Sequence, residues 1–245
     1  MSRVLEITDP KDLRRLKSKY FSDQVTSEEF DHVFRLADAL WLHGGDPAMP
    51  HAELTSGRCS NGFVDVLRVL KYTNLCEIFA RELIQSYNLY RVSLGEGVSE
   101  GLFFDPDWVI GSDHAGATIS FAVAWLFGAK HDFTEKDGRK QLWKRHIIAP
   151  DEFVLQVEEL VTTTSTLQAV REGIREGNLN PVTFVPVVMT LIHRSDTYEF
   201  KGSPILYLRH YDIETWEPKE CPLCAAGSKR LRPKQNWAEL TGKEN

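Results

Sequence analysis

Apolar positions change their spacing several times along the chain, and each change marks an element. Pro10 opens a charged segment with Leu13 and Leu16 on one side. Thr26 and Glu29 stand in the capping-box pattern. Phe30, Val33, Phe34, Ala37, Leu40 and Trp41 then fall on one helical face, which Gly44, Gly45 and Asp46 end. Pro47 and Pro50 hold the next loop open, so residues 1–50 are expected to form a helical cap or subunit contact without chemistry. Gly57 and Gly62, with Ser56, Ser60 and Asn61, predict a tight turn between short extended pieces. Residues 64–89 read as one long helix with Val66, Val69, Leu70, Leu75, Ile78, Phe79 and Leu83 as its stripe and Cys76 as a small core residue. Residues 95–101 read as a glycine-rich loop.

From about 107 to 190, strands and helices alternate, which predicts an α/β fold with a mostly parallel central sheet and helices on both faces. Trp108, Val109 and Ile110 form a buried strand, 111–116 a turn, and 117–127 a helix so apolar all round that it should be buried. A short strand ends near Phe133, and 135–140 is a charged segment with Asp137-Gly138 as its turn. Residues 143–148 return as a strand. Phe153, Val154, Leu155 and Val157 make a β-rich run interrupted only by Gln156. Glu158 and Glu159 follow, then Thr162, Thr163, Thr164, Ser165 and Thr166, then Leu167, Val170 and Ile174 at helical spacing. That order reads strand, acidic turn, hydroxyl-lined loop, helix. Residues 182–190 form a strand in which Pro186 marks a bulge or an edge, and 204–211 form a last strand.

Composition narrows the class. A chain of 245 residues, 42% hydrophobic and 26% charged, holds one sizeable core with additions rather than two full domains. The divisions expected are a helical extension over 1–50, the main domain over 51–220 and a tail over 221–245 whose final residues, through Asn245, are polar and loose. A net charge of −6 implies no basic face and argues against nucleic acid as a partner. No apolar run approaches the roughly 18 residues of a membrane span, and the charged N-terminus lacks a signal core. Four cysteines are too few for a disulfide framework at this length, so a reduced, cytoplasmic protein is expected.

The chemistry concentrates where strands enter helices. Free N–H groups and the helix dipole make the hydroxyl-lined loop an anion site, and two carboxylates ahead of it suit ribose hydroxyls or Mg²⁺. An ordinary βα turn capped by threonines fits the same pattern. The turn at 111–116 is a second phosphate candidate. His193, Arg194 and Ser195 stand at a strand's C-terminal end, where open α/β sheets bind ligands. Cys221 and Cys224 form half of a zinc pattern, whose other half would come from His210, another His or a second subunit. A structural turn is expected there, and no protein metal site.

Residues 153–171 resemble the signature of type I phosphoribosyltransferases, enzymes that use phosphoribosyl pyrophosphate (PRPP). Residues 51–63 are similar to the N-terminal signature of the orotate phosphoribosyltransferases. That resemblance implies a small hood over the base, with Thr55, Ser56, Gly57 and Arg58 near orotate or PRPP. The turn at 111–116 sits where the family carries its pyrophosphate loop: Gly111 and Gly116 match the pattern, and Ser112, Asp113, His114 and Ala115 lie between them. Lys136 and Arg139, and more weakly Lys140, match its mobile catalytic loop, which closes over the neighbouring subunit's site. Arg194 matches the arginine that pairs with the orotate carboxylate.

The resemblance spans roughly 52–232. It implies a type I phosphoribosyltransferase-like fold, a homodimer, and Mg²⁺ bound with PRPP. By the same resemblance Glu158 and Glu159 hold the ribose, Thr162 to Thr166 the 5-phosphate, and Lys136 and Arg139 the leaving pyrophosphate. Five positions depart from the family pattern: Glu159 stands for Asp, Thr164 for Gly, Asp113 is added, Thr55 replaces a frequent Lys, and His193 precedes Arg194 where an acid is usual. Two functions stay open. One is transfer of ribose 5-phosphate from PRPP to a nucleobase, orotate foremost. The other is a catalytically silent PRPP- or nucleotide-binding sensor or partner subunit. Retention of Lys136 and Arg139 favours the enzyme.

Overall fold

In the computed structural model, which describes residues 2–94 and 105–243, the capping box forms as its spacing requires. Thr26 Oγ1 accepts from the Glu29 N–H at 3.2 Å, and Glu29 Oε2 accepts from the Thr26 N–H at 2.8 Å. The helix it opens, α1 (Ser27–Leu36), stops short of the end of its apolar stripe. Asp38 adopts a left-handed backbone, φ 57°, and turns the chain. Leu40 and Trp41 therefore lie in β1 (Leu40–Leu42), not in the helix. Ahead of α1 the chain winds through three short 3₁₀ turns, one opened by Pro10, with Leu13 and Leu16 buried. The glycine-rich loop expected at 95–101 lies outside the described residues.

β2 (His51–Glu53) and β3 (Cys59–Ser60) are the expected extended pieces on either side of a turn with Gly57 at φ 83°. β4 (Gly62–Val64) pairs antiparallel with β1. The single helix expected over 64–89 is instead two, α2 (Leu67–Leu70) and α3 (Thr73–Ser93). Tyr72, at φ −96° and ψ 106°, is extended and separates them. The expected stripe is buried throughout, and the Cys76 thiol donates to Leu70 O at 3.1 Å.

The alternating region supplies β5 (Trp108–Gly111), α4 (Ala115–Phe127), β6 (Lys130–Phe133), β7 (Glu135–Asp137), β8 (Lys140–Leu142), β9 (Phe153–Val161), α5 (Ser165–Gly177), β10 (Thr183–His193), β11 (Glu199–Phe200) and β12 (Ser203–His210). The central sheet runs β11-β12-β10-β9-β5-β6 and is parallel except for β11 at its edge. Side chains alternate as strand geometry demands. Val109, Leu155, Val157, Met189 and Leu191 join the apolar residues of α3 and α4. Trp108, Ile110 and Val154 pack with Val170 and Ile174 of α5. Pro186 sits in the bulge where the β9–β10 register shifts between Phe184 and Val188.

Three local readings change. α4 leaves Phe121 and Trp125 57% and 67% exposed, so its outer face is not covered by the described residues. Residues 143–148 form no strand. Trp143 instead packs edge-on against Trp108 at 5.9 Å and donates from Nε1 to His146 O at 2.6 Å. The tail is built in: it holds β13 (Thr215–Trp216) just ahead of it, then α6 (Pro222–Ala225), β14 (Arg230–Leu231) and α7 (Trp237–Thr241). A second sheet runs β13-β3-β2-β14, and Leu231 and Leu240 pack with Trp41 and Ala52. Among the described residues, no helix is long and apolar enough to cross a membrane.

Candidate active site

Three strand ends meet at one edge of the central sheet: Gly111 of β5, Val161 of β9 and His193 of β10. β9 continues straight through both acids, so Glu158 and Glu159 lie in the strand and not in a turn. Glu158 is 1% exposed and accepts from Ser112 Oγ at 2.6 Å, from the Ser112 N–H at 3.2 Å and from Gln156 Nε2 at 3.4 Å. It therefore clamps the 111–116 loop to the central strand. Gly116 is required by that clamp. A Cβ there would stand 2.6 Å from Ser112 Oγ, 2.8 Å from Glu158 Oε2 and 3.2 Å from Glu159 Oε2. Glu159 Oε2 is buried without a partner among the described residues. Burial pushes both carboxyls above the ordinary carboxylate range, helped at Glu158 by the charge of Glu159 and at Glu159 by that of Asp113. The group wants a proton or a cation.

The loop after β5 carries strain. His114, at φ 61° and ψ −110°, caps α4 in a conformation that non-glycine residues rarely adopt. Asp113 does not point freely into the loop. Its carboxylate meets His114 Nδ1 at 2.8 Å and Gln141 Nε2 at 3.4 Å. Ala115 and Gly116 begin α4, so their N–H groups have no partner from a preceding helical turn.

The hydroxyl loop is open. Thr162, Thr163 and Thr164 line a cavity of about 680 Å³, with Arg194, Thr215 and Trp216 among its other walls. Thr163 Oγ1 and Ser165 Oγ lie 2.7 Å apart, and Ser165 and Thr166, in the first turn of α5, are exposed. Thr164 has φ −78° and ψ 3°, which any residue adopts, so threonine fits the position without strain. Arg194 follows β10 and is pinned by its N–H to Val161 O at 2.9 Å. Its Nε is buried without a partner among the described residues, and burial lowers its pKa. Beneath it, His193 Nδ1 lies 2.8 Å from His210 Nδ1 and His193 Nε2 lies 3.0 Å from Thr197 O.

The other expected site residues fall elsewhere. Lys136, Arg139 and Lys140 are exposed on the β7–β8 hairpin. That hairpin is docked on its own chain. Gly173 of α5 admits Gln141 so closely that a Cβ would lie 2.0 Å from its carbonyl oxygen, and Gly177 does the same for Trp143 at 2.4 Å. Thr55 lines a separate cavity with Phe63 and Arg232, and Ser56 is exposed at the turn. Arg58 donates to Thr215 O at 2.9 Å and pairs with Glu217 at 3.5 Å. It braces the cavity wall that carries Trp216. Thr215 and Trp216 escaped the sequence reading; the only signal was an aromatic in a polar stretch after the last long strand.

No family model matches the chain. It is 31% identical over 210 residues to the orotate phosphoribosyltransferase of Heliobacterium modesticaldum, covering 85% of this chain and 98% of that one. It is 30% identical over 184 residues to that of Caldanaerobacter subterraneus, covering 75% and 87%. Among solved structures, the fold is similar to Leishmania donovani UMP synthase, with a TM-score of 0.51 at 14% identity. The match covers 77% of this chain and spans 36% of that longer one.

Proposed function

The chain belongs to the orotate phosphoribosyltransferase family, and from that premise we propose that it transfers ribose 5-phosphate from PRPP to a ring nitrogen of orotate, releasing pyrophosphate. The observation that carries this reading is the open, hydroxyl-lined entry to α5 facing Arg194 across one cavity of about 680 Å³. The first N–H groups of α5, with the hydroxyls of Thr162 to Thr166, suit the 5-phosphate. The Arg194 fork suits the planar carboxylate of orotate.

Glu159, with its unpartnered Oε2, accepts from the ribose hydroxyls. Glu158 acts from below: it fixes Ser112 and so the loop whose Ala115 and Gly116 N–H groups receive pyrophosphate. As the bond from the ribose C1 breaks, charge builds on pyrophosphate. Lys136 and Arg139 spread that charge once the hairpin tip closes, with Lys140 in support. The buried orphan oxygen of Glu159 beside Asp113 is a hard anionic donor set that fits Mg²⁺. An ion bound there with PRPP would draw off a share of the same charge. In this reading the enzyme is a cytoplasmic homodimer. The exposed Phe121 and Trp125 of α4 and Leu89 and Val92 of α3 supply an apolar face for a second copy, and light scattering on the purified protein tests it.

The decisive assay supplies PRPP, Mg²⁺ and a panel of bases. Orotate should be consumed, and Lys136→Ala should slow turnover far more than it weakens PRPP binding. PRPP binding with no turnover on any base would replace this reading with that of a sensor.

A further inference from the structure

The CxxC turn finds its other half some 170 residues earlier in the sequence. His51 of β2, Cys59 of β3, and Cys221 and Cys224 at the start of α6 bring one ligand atom each to a single point, all within 4.8 Å of one another. His51, Cys59 and Cys221 are buried. His210, the sequence candidate for a third ligand, is engaged with His193 and Asp212 instead. We propose that these four residues bind one tetrahedral Zn²⁺ ion that ties the tail to β2 and β3.

The spacing matches the ion. Tetrahedral bonds of about 2.3 Å to sulfur and about 2.0 Å to nitrogen place sulfurs about 3.8 Å apart and sulfur about 3.5 Å from nitrogen. Cys59 Sγ and Cys224 Sγ are 3.6 Å apart, while His51 Nε2 lies 3.7 Å from Cys221 Sγ and 3.3 Å from Cys224 Sγ. A disulfide would need about 2.05 Å, and all four cysteines of the chain are free. The donors also select the metal: three soft sulfurs and an imidazole suit zinc and not Mg²⁺.

The surroundings orient these donors. Ser228 Oγ donates its hydrogen to Met49 O at 2.5 Å, so at His51 Nδ1, 2.9 Å away, it acts as acceptor. Nδ1 then carries the imidazole proton, and Nε2 presents a bare lone pair to the cysteines. The Cys224 N–H donates to Cys221 Sγ at 3.4 Å, folding the CxxC turn inward. The position explains what the ion is for. β2, β3, β13 and β14 are two or three residues long, too short to stand as a sheet unaided. One ion joins two of these strands to the segment between the other two. Cys59 also pairs in register with Trp216, which lines the candidate site.

The test uses the full-length, untagged protein purified without chelator. Elemental analysis should find about one zinc per chain, and exchange with Co²⁺ should give the visible bands and sulfur charge-transfer absorption of a tetrahedral thiolate site. Cys221→Ser/Cys224→Ser should lose both, and Cys76→Ser should keep both. The wild-type metal content and Co²⁺ spectrum decide the matter even if the double variant does not fold. Zinc far below one per chain with no Co²⁺ spectrum, or a Cys59–Cys224 disulfide in the mass spectrum, would overturn the proposal.

Discussion

Replacing Glu159 with Gln separates what the acid cluster does for binding from what it does to stability. Burial, reinforced by Asp113, raises the Glu159 carboxyl from 4.5 to about 7. At 1.36 kcal/mol per unit that shift sets a ceiling of about 3 kcal/mol on the linked stability. The sign follows from proton counting. Between pH 4.5 and about 7 the folded chain holds more protons at this site than the unfolded chain. Stability therefore falls as pH rises through that window and levels off above it. Glu159→Gln removes the titration, and its amide donates to the neighbouring carboxylates. Ligand-free variant and wild type should melt alike near pH 5. At pH 8 the variant should melt higher by about 3–6 °C, while losing turnover with PRPP. Calorimetric melts across pH 5 to 8 read the difference directly. A variant less stable at pH 8, or displaced equally at every pH, would refute the reasoning.

Gly173→Ala should push the Gln141 carbonyl off α5, destabilising the chain by about 1–3 kcal/mol; a chemical melt measures that, and turnover should fall with it because Lys136 and Arg139 ride on the hairpin. Arg194→Lys exchanges a two-donor fork for a point charge, so the KM for orotate should rise by about tenfold or more while PRPP affinity, read by calorimetry, stays close to wild type. Arg171→Ala should cost about 2–4 kcal/mol, seen as a lower urea midpoint, because it strips the 3.0 Å partner from the buried Gln156 Oε1.

The parallel sheet was legible because its signal is local: apolar strand runs and 3.6-residue helical patterns alternate from Trp108 to Thr190, and the central strands β5, β9 and β10 are mostly buried. The open threonine loop was legible for the same reason. What the pattern could not carry was partnership across the chain. Leu40 and Trp41 continue a helical stripe on paper, yet the left-handed Asp38 and a partner strand at Gly62–Val64 make them β. Glu158 read as a ribose ligand, but its 2.6 Å bond from Ser112, 46 residues away, turns it inward. Gln156 looked like a flaw in an apolar run until Arg171 appeared as its partner. The Cys-Pro-Leu-Cys turn showed only half a ligand set, because His51 and Cys59 stand some 170 residues earlier.

The sheet β13-β3-β2-β14 is assembled from segments far apart in the polypeptide. Arg58 and Thr215, which meet in it, are 157 positions apart. During synthesis the parallel strands from β5 to β12 can pair as they leave the ribosome, whereas β2 and β3 have only each other until β13 and β14 follow. A nascent chain halted after β12 would already hold the hydroxyl-lined loop and Arg194 and still lack the cavity wall bearing Trp216. The cavity thus gains that wall only with β13, and a chain cut short before it is left with a floor but no roof.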